Sequence, residues 1–324
     1  MQHIRLASSG RETSRLGFGC SVLMAGISRR QSARLLDAAY DAGIRHFDVA
    51  PLYGYGEAES CVGDLLARHP DITITTKFGI DPPARGGLIR TVRRVASPVL
   101  QRVPALKRLA RSAGATAAPP AKSNFNAAEA RASLERSLRN LRTTQIDILL
   151  LHEPESTDLT DTALLDFLNN AVAQDNIGGF GIASDSTKVS ALLRDRPAYC
   201  RIVQHDWSIL NPLEPKLLQP AFHIHHRALT EHLPALHDAL TRDKERCRRW
   251  SQITGRDLAR REVLAALMLK AALVLHPNTV LLVSSKNPVH IRENVRVAED
   301  ASLEEPARRL HQLVQREGLA SAAN

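Results

Sequence analysis

Four side chains capable of proton chemistry stand at the ends of apolar runs in this chain. Asp48 falls in HFDVA (46–50), Lys77 in ITITTKF (72–78), and His152 ends IDILLLH (146–152). Tyr53 follows Asp48 by five residues, in the turn PLYGYGEAE (51–59). Each alone has a plain account. An Asp at a strand end caps a turn, a Lys in TTKFG snorkels to water, and a His in LLLHEP is a hydrogen-bonded core residue. Together they describe a device. A phenol with a pKa near ~10 is a poor proton donor at neutral pH. A nearby ammonium stabilises the phenolate and lowers that pKa, and a carboxylate holds the ammonium in place. An imidazole beside them orients a carbonyl oxygen. Such a set protonates an alkoxide as it forms.

The elements that must position these groups are legible as alternating short apolar runs and longer helical patterns. Strands are predicted at 15–19, 46–50, 72–78, 146–152, 177–184, 202–207, 222–226 and 280–285, several of them apolar on both faces. Continuous apolar strands belong to parallel sheets covered by helices. Helices are predicted at 32–42, from 126 (with Asn126 as N-cap and Glu129 completing a capping box), at 161–175, 186–195, 255–275 and 289–298, and after 302. Eight strand–helix units make a (β/α)8 barrel the leading architecture, one domain over 1–324 with a C-terminal helix. The N-terminal HIRLASSGRETSRL reads as a hairpin closing the barrel's bottom. A doubly wound sheet is the competitor, but GFGCSV, GYGEAE and GFGIAS all fail at the third glycine of the dinucleotide fingerprint.

Composition narrows the setting. The chain has 324 residues, 44% of them hydrophobic, enough for a large core. Four cysteines without a CxxC pair fit reduced thiols, and no apolar stretch is long enough to span a bilayer, so a cytoplasmic protein is expected. The net charge of +9 is concentrated between Gly79 and Phe125, where nine Lys or Arg face one acid, Asp81. That is a basic insertion after the third strand rather than a basic protein. Within it, 86–114 carries Leu and Val at three- and four-residue spacing with Arg and Lys between them, which predicts one or two amphipathic helices. Such a segment could admit an anionic substrate or meet a membrane surface. It lacks the interleaved aromatics of a nucleic-acid platform, so no nucleic acid is expected.

The chain resembles the aldo-keto reductase superfamily along nearly all its length. The carrying motifs are LGFGCS (16–21), DAGIRHFDVAPLYGYGEAE (41–59), ITTKFG (74–79), IDILLLHEP (146–154), GFGIAS (179–184), the strand with Gln204, and SSKNPVHIRENV (284–295). The second is the most specific and looks nearest to bacterial aldose-dehydrogenase-like branches. The resemblance implies the tetrad Asp48, Tyr53, Lys77 and His152, with Tyr53 as general acid. It implies a nicotinamide cofactor, NADP before NAD, bound without a Rossmann domain, and a small carbonyl substrate such as an aldose. Ser184, Asp185 and Gln204 would hold the carboxamide, and His226 would stand where an aromatic commonly stacks on the ring. The family usually has Asn at position 185; Asp accepts from an amide NH2 but cannot donate to its oxygen. Ser284, Ser285 and Lys286 would receive phosphates, and Glu293 and Asn294 would contact adenine. His290 stands where an Arg for a 2′-phosphate is common, with Arg292 close by. Tyr55 has no role in the resemblance and is expected in packing or pocket lining.

The resemblance requires no metal, and none is predicted. His223 and His225 nonetheless share a strand face, with His205 and Asp206 nearby in type, so a metal set is imaginable. The alternative to an enzyme is a nicotinamide-nucleotide-binding sensor on the same fold; a pure binding module would not need Tyr53 and Lys77 together. A monomer or weak oligomer is expected.

Overall fold

A computed structural model describes residues 1–6, 9–82, 121–211 and 222–318. Eight parallel strands close into a barrel: β3 (Leu16–Gly19), β4 (His46–Asp48), β5 (Thr73–Phe78), β8 (Ile146–His152), β9 (Ile177–Ala183), β10 (Ile202–Asp206), β11 (Phe222–His226) and β12 (Thr279–Val283). All eight predicted strands form, within one or two residues at most ends. β12 stops at Val283, which leaves Ser284 and Ser285 just past the strand, at the rim.

Side-chain alternation along the strands builds two cores. The inward set includes Ile148, Leu150, Ile202, Ile224, Val280 and Leu282 and fills the barrel. The outward set, including Phe47, Leu149, Leu151, Phe180 and Val203, meets the apolar stripes of the helices. α1 (Arg29–Asp41) starts at Ser28 in a full capping box with Gln31. α2 (Ala58–Leu66) follows the Tyr53 turn. α3 (Ala127–Leu141) is capped by the Asn126 side chain, which accepts from the Glu129 amide, and it buries Ala130, Leu134 and Leu141. α4 (Thr162–Ala173) and α5 (Ser186–Asp195) cover the next two strands.

Two helices lie in a stretch that the sequence left unassigned, α6 (His232–Arg242) and α7 (Lys244–Thr254). Gly255, at φ 66°, ends α7, so α8 begins only at Arg261 and runs to Leu275, later than the predicted start at 255. α9 (Pro288–Glu299) and the C-terminal α10 (Glu304–Arg316) complete the layer. Among the described residues no helix is long and apolar enough to cross a membrane.

The predicted hairpin is β1 (His3–Arg5) paired antiparallel with β2 (Glu12–Ser14). Leu6, just beyond it, joins the apolar cluster inside the barrel. Arg11 fastens the hairpin to the barrel's base, donating to Asp147 at 2.9 Å and to the carbonyls of Pro70 and Ile72 at 3.0 Å each. At the opposite rim β6 (Ile80–Asp81) pairs antiparallel with β7 (Ala121–Lys122), so the basic insertion leaves and rejoins the barrel at one clasp. The predicted amphipathic helices of 86–114 lie outside the described residues.

Candidate active site

The strand register carries the reactive groups to one level. Asp48 pairs with Thr75, and Lys77, two residues further, points to the same side. Lys77 in turn lies opposite Leu150, and two more steps along β8 reach His152. His152 pairs with Ala183, and Ala183 pairs with Gln204. Four adjacent strands thus deliver Lys77, His152, Ala183 and Gln204 to the C-terminal rim, beside Asp48. Tyr53 arrives from the turn after β4. Gly54 and Tyr55 take φ of 60° and 59° there, and a Cβ on Gly54 would come within 2.6 Å of Met24 Cβ. Glycine is what this tight left-handed turn requires at 54.

Lys77 Nζ donates to Asp48 Oδ1 at 2.6 Å, to the Val49 carbonyl at 3.2 Å and to the Tyr53 hydroxyl at 3.5 Å. The other Asp48 oxygen accepts from Gln204 Nε2 at 2.8 Å. Lys77 and Asp48 are almost wholly buried, with side-chain exposures of 2% and 4%. His152 meets the Tyr53 ring edge-on, with centroids 6.3 Å apart. The four groups line one cavity of about 480 Å³.

Burial pulls the Lys77 ammonium down, but Asp48 and then Tyr53 more than offset it, so its pKa lies above the ordinary value. Burial pushes the Tyr53 phenol up, and the Lys77 charge opposes this only in part. The ammonium does act to lower the phenol's pKa, as the sequence suggests, but loss of water costs the phenolate more than one cation at 3.5 Å returns, so the net shift is upward. Burial, then Lys77 and His226, push His152 down to about 3, so its imidazole is neutral.

Of the residues expected at the cofactor, Ser184, Asp185, Gln204, His226, Ser284 and Asn294 line this cavity. Ser285, Lys286, His290 and Glu293 do not. Ser285 accepts from the Asn287 amide at 3.0 Å, Lys286 donates to the Ala25 carbonyl at 2.6 Å, and His290 and Glu293 are exposed on α9. Tyr55 is not among the lining residues either. The donor set suits a carboxamide. Gln204 gives one amide N–H to Asp48, and Ser184 donates its hydroxyl hydrogen to Glu153 Oε2 at 3.2 Å, which leaves the Ser184 hydroxyl oxygen and the Gln204 carbonyl as acceptors for an NH2 group. Asp185 makes no cap bond to α5, which leaves its carboxylate at the cavity wall. Gly19 keeps that wall open, since a Cβ there would sit 2.5 Å from the Ser284 hydroxyl.

Sequence reasoning missed Glu153 and Arg227, which line the cavity directly after His152 and His226 and both have positive φ. Burial, then Asp185, push the Glu153 carboxyl up against the pull of Lys188. Their only sequence signal was adjacency to a strand-end residue already singled out.

A parallel eight-stranded barrel with a buried Lys–Asp pair, a phenol and a neutral imidazole at its C-terminal rim defines the class: an α/β-barrel with a candidate proton-transfer site. A sequence profile of the aldo/keto reductase family matches residues 15–313, and the chain belongs to that family. It is similar to pyridoxal 4-dehydrogenase of Microbacterium luteolum, 42% identical over 78 residues, covering 23% of this chain and 23% of that protein. It is also similar to D-threo-aldose 1-dehydrogenase of a Pseudomonas species, 31% identical over 163 residues, covering 49% of this chain and 45% of that protein. These matches span less than half the length of either relative. The fold is that of the aldo-keto reductase from Bacillus halodurans solved in holo form, with a TM-score of 0.67 at 19% identity over 96% of each chain. It is shared by the glycerol dehydrogenase from Gluconobacter oxydans, with a TM-score of 0.67 at 18% identity over 97% of this chain and 95% of that one.

Proposed function

We propose that this chain is an NAD(P)-dependent oxidoreductase interconverting an aldehyde or ketone and its alcohol, with Tyr53 as the proton donor in reduction. The observation that carries the proposal is the buried Lys77–Asp48 pair at 2.6 Å with the Tyr53 hydroxyl 3.5 Å from the same ammonium, facing a cavity. When bound, the nicotinamide supplies hydride to the carbonyl carbon. Ser184, Asp185 and Gln204 hold its carboxamide, and Ser284 and Asn294 line the way to the rest of the nucleotide. Ser285, Lys286, His290 and Glu293 meet the phosphates and adenine beyond the cavity.

The chain's own residues manage the proton. Neutral His152 donates an N–H to the carbonyl oxygen without competing for its proton. The Tyr53 phenol, its pKa raised by burial, stays protonated through neutral pH and yields its proton only to a stronger base, the developing alkoxide. Lys77 then lies beside the phenolate that forms, and Asp48 and Gln204 keep Lys77 in place. In oxidation the same groups run in reverse.

NADP is the preferred form, because Lys286 and Arg292 offer cations near the start of α9, and NAD is the alternative. The two relatives act, by name, on pyridoxal and on an aldose, which favours a polar aldehyde or sugar here. A cytoplasmic setting fits four free cysteines. Titration of protein fluorescence with NADPH and NADH, followed by a panel of aldoses, pyridoxal and simple carbonyls, tests the reading. Saturable quenching and turnover of at least one carbonyl are expected. Quenching without turnover on any carbonyl or alcohol would replace it with a nucleotide-binding sensor.

A further inference from the structure

The outer faces of β10 and β11 carry three histidines turned away from the active-site cavity. His223 and His225 are two residues apart and share a face of β11, and the register sets His205 directly opposite His225. All three are buried, with exposures of 4%, 0% and 0% for His223, His225 and His205. One donor atom from each lies within 4.8 Å of the others. We propose that His205, His223 and His225 bind a divalent transition-metal ion of the zinc class between the barrel and its helix layer.

The hydrogen bonding around the rings points the same way. His205 Nδ1 lies 2.9 Å from the Asp206 carbonyl, so in the neutral ring it carries the hydrogen and leaves Nε2 with a lone pair. A carbonyl fixing one ring nitrogen while the other ligates is a recurrent arrangement at metal sites. His205 Nε2 is buried with no hydrogen-bond partner among the described residues, and so are both nitrogens of His225. Buried polar atoms without partners are rare in proteins, and three in one cluster call for an occupant. The His225 ring lies between those of His205 and His276, each with its centroid 4.7 Å away, and it stacks on Trp207. His276 is the next imidazole beyond the three, edge-on to the His225 ring.

Asp206 takes no part; it accepts from Ser186 and Asn211 instead. Arg15 is the nearby cation, and it donates to the carbonyls of Leu273 and His276 at 2.5 and 2.9 Å. Two nitrogens on one tetrahedral zinc lie about 3.4 Å apart at the usual Zn–N length, so ring shifts on the order of 1 Å close the present spacing. Three imidazoles without thiolate or carboxylate suit zinc, cobalt, nickel and copper rather than magnesium or calcium.

The test uses the full chain without a histidine tag, stripped with chelator and dialysed. Cobalt(II) is titrated in and followed by its visible ligand-field absorption, zinc displaces it, and native mass spectrometry counts ions. One ion per chain is expected, with a melting temperature raised by a few degrees at about a hundredfold excess of zinc over Kd. His225→Phe keeps an aromatic ring against Trp207 and is expected to weaken binding at least tenfold, whereas exposed His3→Ala leaves it unchanged. His223→Gln is a second variant should His225→Phe fold poorly. Wild-type protein with no cobalt spectrum and an unchanged melting temperature at 100-fold molar excess of zinc overturns the proposal. So does undiminished binding in either folded variant.

Discussion

Asp48→Asn is the sharpest probe of how the proposed catalytic charges hold one another. The Asp48 carboxylate accepts from Lys77 Nζ at 2.6 Å and from Gln204 Nε2 at 2.8 Å. An Asn amide has one acceptor and one donor, so whichever way it turns it faces one of these groups donor to donor. It also leaves Lys77, only 2% exposed, without its counter-charge. Breaking a buried ion pair from one side costs about 3–5 kcal/mol. For a chain of 324 residues that lowers the melting temperature by about 4–7 °C. Lys77 then loses the largest influence raising its pKa, with burial still pulling it down, and becomes neutral at a lower pH. Tyr53 in turn loses the cation that stabilises its phenolate, and reductase turnover falls by about 10²–10⁴-fold. Thermal denaturation, together with NADPH consumption on whichever carbonyl the panel identifies, reads both effects. A variant melting within about 2 °C of the parent and keeping more than a tenth of its turnover would refute the reasoning.

Tyr53→Phe removes the phenolic proton and keeps the ring; nucleotide affinity measured by fluorescence should hold while turnover drops by about 10²–10⁴-fold. The Tyr53 pKa is raised, so reduction, which uses the protonated form, should be level from about pH 6 to 9 and fall above ~10, while oxidation rises over the same interval. His152, pushed down to about 3, should add no acid limb above about pH 5, and a reductase limb centred near 6–7 would contradict its neutrality. Lys286→Ala should weaken NADPH binding several-fold and leave NADH unchanged; equal losses for the two nucleotides would remove Lys286 from the 2′-phosphate. Replacing 86–120 with a short Gly/Ser linker should leave neutral carbonyls untouched and lower turnover on anionic ones, a preference that salt weakens in the parent.

The barrel was legible because its strands are continuous apolar runs, a pattern that survives without knowledge of neighbours. Asp48, Lys77 and His152 were legible as polar exceptions at the ends of those runs. α6 was not, because Glu231 enters it at φ 63° without a side-chain cap and Pro234 follows in the first turn. The direction of the Tyr53 shift escaped for a different reason: spacing shows which charge is near but not how much water is lost. Lys286 read as a free phosphate ligand, yet it reaches across to the Ala25 carbonyl, a contact between residues 261 positions apart. The three outward histidines were visible as a set. Their burial, and the orphaned nitrogens of His205 and His225, were not, since those depend on which helices cover the strands.

The N-terminal hairpin has a kinetic consequence. With Leu6 inside the barrel and Arg11 fastened to Asp147, the base is stoppered, and traffic passes through the rim. Ser184 and Gln204, the residues proposed to hold the nucleotide's head, lie deep in that cavity with 2% exposure each. Whatever docks there must precede anything seated above it and must leave after it. Steady-state kinetics should therefore show compulsory order, nucleotide on first and off last. The oxidised nucleotide should compete with the reduced one and act noncompetitively toward the carbonyl.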